Sequence, residues 1–424
     1  MKYDNRKKET RQGFYKEKDL SAIPRSSFEV TIDPRKELLA VGIEAGLQVM
    51  ALQFQRDVEA LCGLHYQHHE GRKASRWGTT NGEVVFGGRK ISIARPRVRS
   101  FAEEMKLPSY EHFQAEDPLT ERIIEQVLNR VSTRRYPRSL EGNNFGLKVR
   151  GVSPSSISRR FILGTWKMIA EFLSRPLDKL DVAALFIDGV ELGDHTVVCA
   201  IGLDREGNKH ALGIWEGSTE NKEVCQALLD NLVDRGLATD RPILVVIDGS
   251  KALRKVVKKT FGDKATVQRC QYHKRQNVIS HLPDGMKTMV DLEMRRAYQR
   301  DNPHEARPIL NNLAQRLESS YPGAAASLRE GLDETLTVIE LGLPTVLRQS
   351  LQTTNVIESA LSIVRDVSGN VKYWRNGKMA VRWVANGLMV AERRFKRIKG
   401  YRSIPELVEA LKRRQIALDK QEVA

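Results

Sequence analysis

The spacing of apolar residues changes along the chain, and each change predicts a different element. Leu38, Leu39, Ile43, Leu47, Met50 and Phe54 recur at helical intervals, which predicts an amphipathic helix over 36–62. Two short runs, Glu83–Phe86 and Lys90–Ala94, flank Gly87-Gly88 and predict a hairpin. From 117 to 172 the helical period returns in three pieces. The first carries Ile123, Ile124, Val127, Leu128 and Val131. The third follows a turn at Gly151 and opens at Ser153-Pro154, an N-cap with proline at the first helical position. Ile157, Phe161 and Ile162 are its expected packing residues.

Between 182 and 248 the pattern becomes short unbroken apolar runs: Val182–Ile187, Thr196–Leu203, His210–Trp215 and Ile243–Ile247. Such Val- and Ile-rich runs predict strands buried on both faces. A helix with Val224, Leu228, Leu229 and Leu232 on one face precedes the fourth. After it come a helix (Leu253, Val256, Val257, Phe261), a strand at Thr266–Arg269 and a helix from His273. Only helical periods appear from 284 to 350 (Leu310, Leu313, Leu317; Leu328, Leu332, Leu336). Thr353-Thr354-Asn355 then opens a helix whose buried face is Ile357, Leu361 and Val364. Lys372 to Lys399 reads as basic and helical, with Trp374, Trp383 and Phe395 interleaved, and 404–418 as a final amphipathic helix.

Short polar turns (Glu191–Asp194; Asp204–Asn208) join the first three strands into an antiparallel meander. A meander followed by alternating helix and strand is the order of an RNase H-like fold. The expected class is therefore α/β, with a mixed five-stranded sheet interrupted by an all-helical insertion. The expected division is a polar arm (1–35), a helix and hairpin region (36–115), a helix-turn-helix-like region (116–175) and the core (180–282). A helical insertion (283–350), the rest of the core (351–400) and a terminal helix (401–424) follow. Fold alone does not give function.

Charge narrows the partners. Lys and Arg number 69 against 53 Asp and Glu, a net +16, and the sequence pI is about 9.7. That excess points to a polyanion, most often nucleic acid. In the arm, Arg6, Lys7, Lys8 and Arg11 suit either phosphate contact or solvation. Arg95, Arg97 and Arg99 lie two apart, so an extended segment points them to one side, as a phosphate-contacting row or a charged edge strand. Ser155, Ser156, Ser158, Arg159 and Arg160 at a helix start are what a recognition helix presents to DNA. Four scattered cysteines, Cys62, Cys199, Cys225 and Cys270, predict a reducing compartment, not a disulfide framework. Cys62, His65 and His69 would share a face of a continuing helix and could ligate zinc. No apolar run reaches the length of a membrane span, and the start has no signal-peptide pattern. The expectation is an intracellular protein with no membrane partner.

Three carboxylates stand out. Asp188 and Asp248 end apolar runs, and Glu358 lies in the first turn of the helix after the insertion. In the RNase H-like order the first and fourth strands are neighbours, which would set Asp188 beside Asp248. Carboxylates converging from separate elements suit a pair of Mg²⁺ ions, with Mn²⁺ as a substitute, acting on a phosphodiester. Each also has a structural reading: Asp188-Gly189 as a turn, Asp248 as a helix cap, and Asn355-x-x-Glu358 as a capping box.

The segments WGTTNGEVVFGGRKISIARPRVR, LFIDGVELGDHTVVCAIGLDREGNKHALGIWEGSTEN, VVIDGSKAL, VQRCQYHKRQNV and QTTNVIESALSIVR together resemble Mutator-type DDE transposases of bacterial insertion sequences. The resemblance extends from about residue 36 onward. It implies Asp188, Asp248 and Glu358 as the metal-binding triad. It also implies a Cys-x-x-His pair, Cys270 and His273, which either orders DNA or the triad at a strand-to-helix junction or is a buried cysteine with a capping histidine. In the wider DDE class a basic residue often lies two helical turns after the glutamate, and Arg365 fits that spacing. Asp188 is followed by Gly-Val, where many relatives have Asp-Ala and an aromatic, which suggests a subgroup. The implied protein is prokaryotic, cytoplasmic and nucleoid-associated. It would act as a dimer or larger assembly on terminal inverted repeats and target DNA, cleaving and transferring strands. The rival readings are a domesticated DNA-binding regulator and a structure-selective nuclease of the same fold.

Overall fold

The computed structural model describes residues 34–67, 71–86, 89–100, 103–115, 118–140, 149–217 and 221–423. Residues 1–33 of the expected arm, the Gly87-Gly88 turn and His69 lie outside these residues, as do the side chains of Leu38 and Leu39.

The N-terminal part has its own small core. Helix α1 (Pro34–Cys62) buries Met50, Phe54, Val58 and Cys62 against an antiparallel sheet. Its long strands are β1 (Ser75–Phe86) and β2 (Arg89–Arg99), longer than the runs that predicted them, with short β3 (Glu104–Met105) and β4 (Val149–Arg150) each pairing with β2. Helix α2 (Pro108–Ala115) closes this core with Tyr110. Next come α3 (Pro118–Leu128), the four-residue α4 (Tyr136–Ser139) and the 21-residue α5 (Pro154–Ser174). Val131 falls beyond the end of α3. Ser153 caps α5, its hydroxyl accepting from the Ser156 N–H at 3.3 Å, with Pro154 behind it.

The central sheet has the order β7-β6-β5-β8-β9. Strands β5 (Val182–Leu192), β6 (His195–Asp204) and β7 (Lys209–Gly217) form the antiparallel meander. Helix α6 (Lys222–Asp234) leads to β8 (Ile243–Ile247), parallel to β5. Helix α7 (Lys251–Phe261) then leads to β9 (Ala265–Arg269), parallel to β8. Side chains alternate across the sheet. Leu185, Ile187, Val245 and Ile247 pack under α6 and α7, whereas Ala184, Phe186, Leu244 and Val246 pack on the opposite face. β5 does not stop at Asp188 but runs through it to Leu192, so Asp188-Gly189 is not a turn.

After α8 (Gln271–Ile279) the insertion is all helix: α9 (Asp284–Tyr298), α10 (Pro303–Glu318), α11 (Pro322–Arg329), α12 (Leu332–Glu340) and α13 (Thr345–Leu351). Its core is separate, built on Met294, Leu310, Leu313, Leu328 and Leu336. α12 also joins the sheet core through Val338. Helices α14 (Asn355–Val367), α15 (Gly377–Glu392) and α16 (Ile404–Val423) cover the second face of the sheet. The expected continuous helix over 372–399 is not formed. Residues 371–376 are irregular, and the Asn376 side chain caps α15 by accepting from the Met379 N–H at 3.0 Å. Among the described residues no helix is long and apolar enough to cross a membrane.

Candidate active site

The two aspartates are brought together by strand register. Ala184, Leu185 and Phe186 of β5 face Leu244, Val245 and Val246 of β8. Extending the same offset sets Asp188 level with Asp248. Strand alternation then fixes their side: each shares the face of Phe186 and Val246, on which α14 packs with Ile357 and Leu361. Glu358 is half-buried in the first turn of that helix.

Electrostatics records the convergence. Burial, then the charge of Asp248, and less strongly that of Glu358, push the Asp188 carboxyl up to about 7. The N–H of Gly189, donating to Asp188 Oδ1 at 2.8 Å, and the positive charge of His273 oppose this rise. Asp248 does not cap α7. Its Oδ1 accepts from the Ser250 N–H at 2.9 Å, closing a tight turn, and the Ser250 hydroxyl is the cap.

Cys270 and His273 join the strand ends to α14. The Cys270 N–H donates to the Ile247 carbonyl at 2.7 Å, extending the β8–β9 pairing by one bond. The Gln271 N–H donates to the Gln352 carbonyl at 3.0 Å, which brings back the chain that starts α14. The buried Cys270 sulfur accepts from the Thr354 N–H at 3.4 Å and the His273 N–H at 3.5 Å. The Thr354 hydroxyl lies 3.4 Å from both that sulfur and His273 Nδ1, and donates to Glu358 Oε1. Glu358 therefore bonds to Thr354, and Asn355 is the first residue of α14, so no capping box forms.

The hydrogen bond with Cys270 raises His273 to about 9, helped by the charges of Asp188 and Glu358 and opposed by burial. Burial alone would raise the Cys270 thiol, but bonds from His273 and Thr354 reverse the sign and lower it. His273 Nε2 lies 3.8 Å from Glu358 Oε1, so a protonated imidazole faces the carboxylates. One ligand atom each from Cys270, His273 and Glu358 fall within 4.8 Å of one another. Asp188, Asp248 and Glu358 do not form so tight a group; what links them is charge.

Thr354 and Arg269 were missed by the sequence reading. Arg269 is nearly buried, with Nη2 donating to the Gly249 carbonyl at 3.1 Å and Nη1 to the Glu330 carbonyl at 2.9 Å. It fastens the turn after Asp248 to the insertion. Thr354 had a visible signal, its place directly before Asn355-x-x-Glu358, whereas the bonds of Arg269 depend on tertiary structure alone. Arg365 is exposed on α14, about 10 Å along the helix axis from Glu358 at 1.5 Å per residue.

The remaining candidates are scattered. Arg95 and Arg97 both pair with Glu104, at 3.3 and 2.6 Å, and Arg99 lies 5.1 Å from the centroid of Trp77. The row thus carries a carboxylate of its own. On α5, Ser155, Ser158 and Arg159 are exposed and Ser156 and Arg160 half-buried. The expected anchor Ile162 is 39% exposed; Ile157, Phe161, Thr165 and Ile169 hold the helix instead. α1 ends at Cys62 and Gly63 turns the chain at φ 78°, so buried Cys62 and exposed His65 share no helix face.

Over 284 residues the chain is 28% identical to the transposase for insertion sequence element IS905 of Lactococcus lactis, covering 65% of this chain and 69% of that one. It is 24% identical over 343 residues to the ISRM5 transposase of Rhizobium meliloti, covering 80% and 83%. With the IS256 transposase of transposon Tn4001 in Staphylococcus aureus it shares 23% over 348 residues, 78% and 84% of the two chains. The family described as Transposase, Mutator family, matches residues 36–397, and the chain belongs to that family.

Proposed function

We propose that this protein is an active DDE transposase with an RNase H-like core, which binds the terminal inverted repeats of its own element and cuts and rejoins DNA. The observation that carries the reading is the shared face of Asp188, Asp248 and Glu358, with Asp188 held near 7 by burial and its acidic neighbours. Oxygen donors gathered on one face, with excess negative charge, fit a hard divalent cation. Asp188, Asp248 and Glu358 would hold Mg²⁺, or Mn²⁺ in its place. A cation bound there would supply Lewis-acid chemistry for attack on a phosphodiester.

The chain's own groups prepare this chemistry. Backbone bonds fix both aspartates, and Thr354 and His273 hold Glu358. The His273 cation offsets carboxylate repulsion. Arg365 is placed to take a DNA phosphate further along α14. Residues 36–172 would supply end binding, with Ser155, Ser156, Ser158, Arg159 and Arg160 toward the bases and Arg95, Arg97 and Arg99 toward the backbone. Joining two element ends calls for a dimer or larger assembly.

The test is a strand-transfer assay using duplexes copied from the inverted repeats that flank the gene, with and without Mg²⁺. Metal-dependent cleavage followed by joined product is the expected result. Cleavage without joining would favour a structure-selective nuclease, and binding without cleavage a domesticated regulator.

A further inference from the structure

Next to His273 and Glu358 the surface opens into a cavity of about 350 Å³. Tyr272 and Arg275 of α8, Arg295 of α9, Arg348 and Gln349 of α13, and Gln352 form its walls. Tyr272 directly precedes His273, and Asn355, also on the wall, lies one helical turn before Glu358. The cavity is therefore continuous in sequence with the candidate active site on two sides.

Its lining is unusual in chemistry. It contains no aliphatic side chain beyond threonine and no carboxylate, but three guanidiniums and several amides. The carboxylates that balance the guanidiniums stand outside the wall: Asp291 pairs with Arg275 at 3.0 Å and Arg295 at 2.8 Å, and Asp301 with Arg348 at 2.6 Å. Amides both donate and accept, which suits the mixed edges of a nucleobase. Tyr272 is 43% exposed, with the Arg275 guanidinium 5.6 Å from its ring centroid. An accessible ring, amides and cations are the three elements that bind unpaired nucleotides. The volume is at the small-ligand end of the range and cannot admit a duplex.

We infer that this cavity receives one unpaired nucleotide of the DNA strand being processed, its base stacked on Tyr272 and its phosphate met by Arg295, the most exposed of the three guanidiniums. The inference rests on the transposase reading for the identity of the strand. An extruded nucleotide there would anchor the adjoining phosphodiester at the carboxylates.

The experiment uses the full chain and a short single-stranded oligodeoxynucleotide carrying 2-aminopurine, without divalent metal. Quenching of the probe is expected on binding. Tyr272→Ala should remove the quenching and weaken affinity about tenfold, the effect of losing one stacked base, while Tyr272→Phe keeps both. Gln349→Ala, at an exposed position, should weaken binding without affecting folding. Unchanged quenching and affinity in Tyr272→Ala overturn the inference. So does a free deoxynucleoside monophosphate that binds as tightly as the strand, because the cavity would then serve a soluble nucleotide. The two readings fail separately: a protein that quenches through Tyr272 but never transfers strands keeps the cavity and loses the transposase assignment. Strand transfer with quenching insensitive to Tyr272 does the reverse.

Discussion

Thr354 meets the sulfur of Cys270 twice, its backbone N–H donating and its hydroxyl oxygen lying alongside, each at 3.4 Å. The Cys-x-x-His pair is thus a structural link between the strand bearing the second aspartate and the helix bearing the glutamate. Cys270→Ala removes the acceptor shared by Thr354 and His273. Cleavage at saturating DNA should fall roughly 10- to 100-fold, as when groups that orient metal ligands are lost. DNA affinity measured by anisotropy should stay within about twofold. Cys270→Ser should recover part of the rate, and a wild-type rate in Cys270→Ala would refute the link.

Substituting a proposed metal ligand should have a larger effect. Asp188→Asn, Asp248→Asn or Glu358→Gln each keeps the shape and removes a charge. Cleavage should drop by about three orders of magnitude or more, the result of losing several kcal/mol of transition-state stabilisation. End binding should persist, because Ser155, Arg159 and the hairpin arginines are untouched. Full activity in any one of the three would remove that residue from the triad.

The raised Asp188 pKa has a testable sign. An unfolded aspartate ionises near 4, whereas here the group ionises at about 7. The folded protein therefore binds more protons between those values. The associated stability is fully present below about pH 4 and is lost as pH rises through 7. Asp188→Asn should remove this dependence and stabilise the metal-free protein at pH 8, by on the order of 1–2 kcal/mol after allowance for partial exposure. Thermal melts at pH 5.5 and 8 measure it. Mg²⁺ should raise the wild-type melting temperature at pH 8 more than that of the variant, and calorimetry should register proton release on metal binding between pH 6 and 8.

Two glycines test the turn after Asp248. At Gly249, with φ at +118°, a Cβ would sit 2.2 Å from Arg269 Nε. At Gly262, with φ at +57°, a Cβ would meet nothing within 4 Å. Gly262→Ala should therefore cost only about 1–3 kcal/mol of stability, from backbone strain alone. Gly249→Ala adds displacement of a buried guanidinium and should lose roughly 2–4 kcal/mol by urea unfolding. It should also slow cleavage, and equal losses at the two sites would contradict the packing of Arg269.

Four of the five sheet strands were legible because burial on both faces leaves unbroken apolar runs, and Ile243–Ile247 has the expected bounds; the fifth, at Thr266–Arg269, followed from the alternation of helix and strand. Adjacency of the first and fourth strands followed from element order. Less visible was anything set by a tertiary partner. Glu104 neutralises part of the arginine row through β3, only two residues long and without periodicity. Ile162 matched a helical pattern but lies at the margin of the packed stripe. The zinc reading of Cys62 and His65 assumed a helix that continues, but Gly63 ends it. Thr354 stands directly before the glutamate motif, but one hydroxyl has no period that would mark its contact with the Cys270 sulfur.

The contact between Cys270 and Thr354 spans 84 positions. Joining chain ends that far apart is opposed by an entropy that grows only with the logarithm of the intervening length, about 0.6 kcal/mol per doubling. Added length between them therefore costs little in closure entropy, provided α12 keeps its seat on the sheet through Val338 and both ends return to the same sulfur. Latitude in the length of the segment and constancy where it meets the sheet are then properties of one tether.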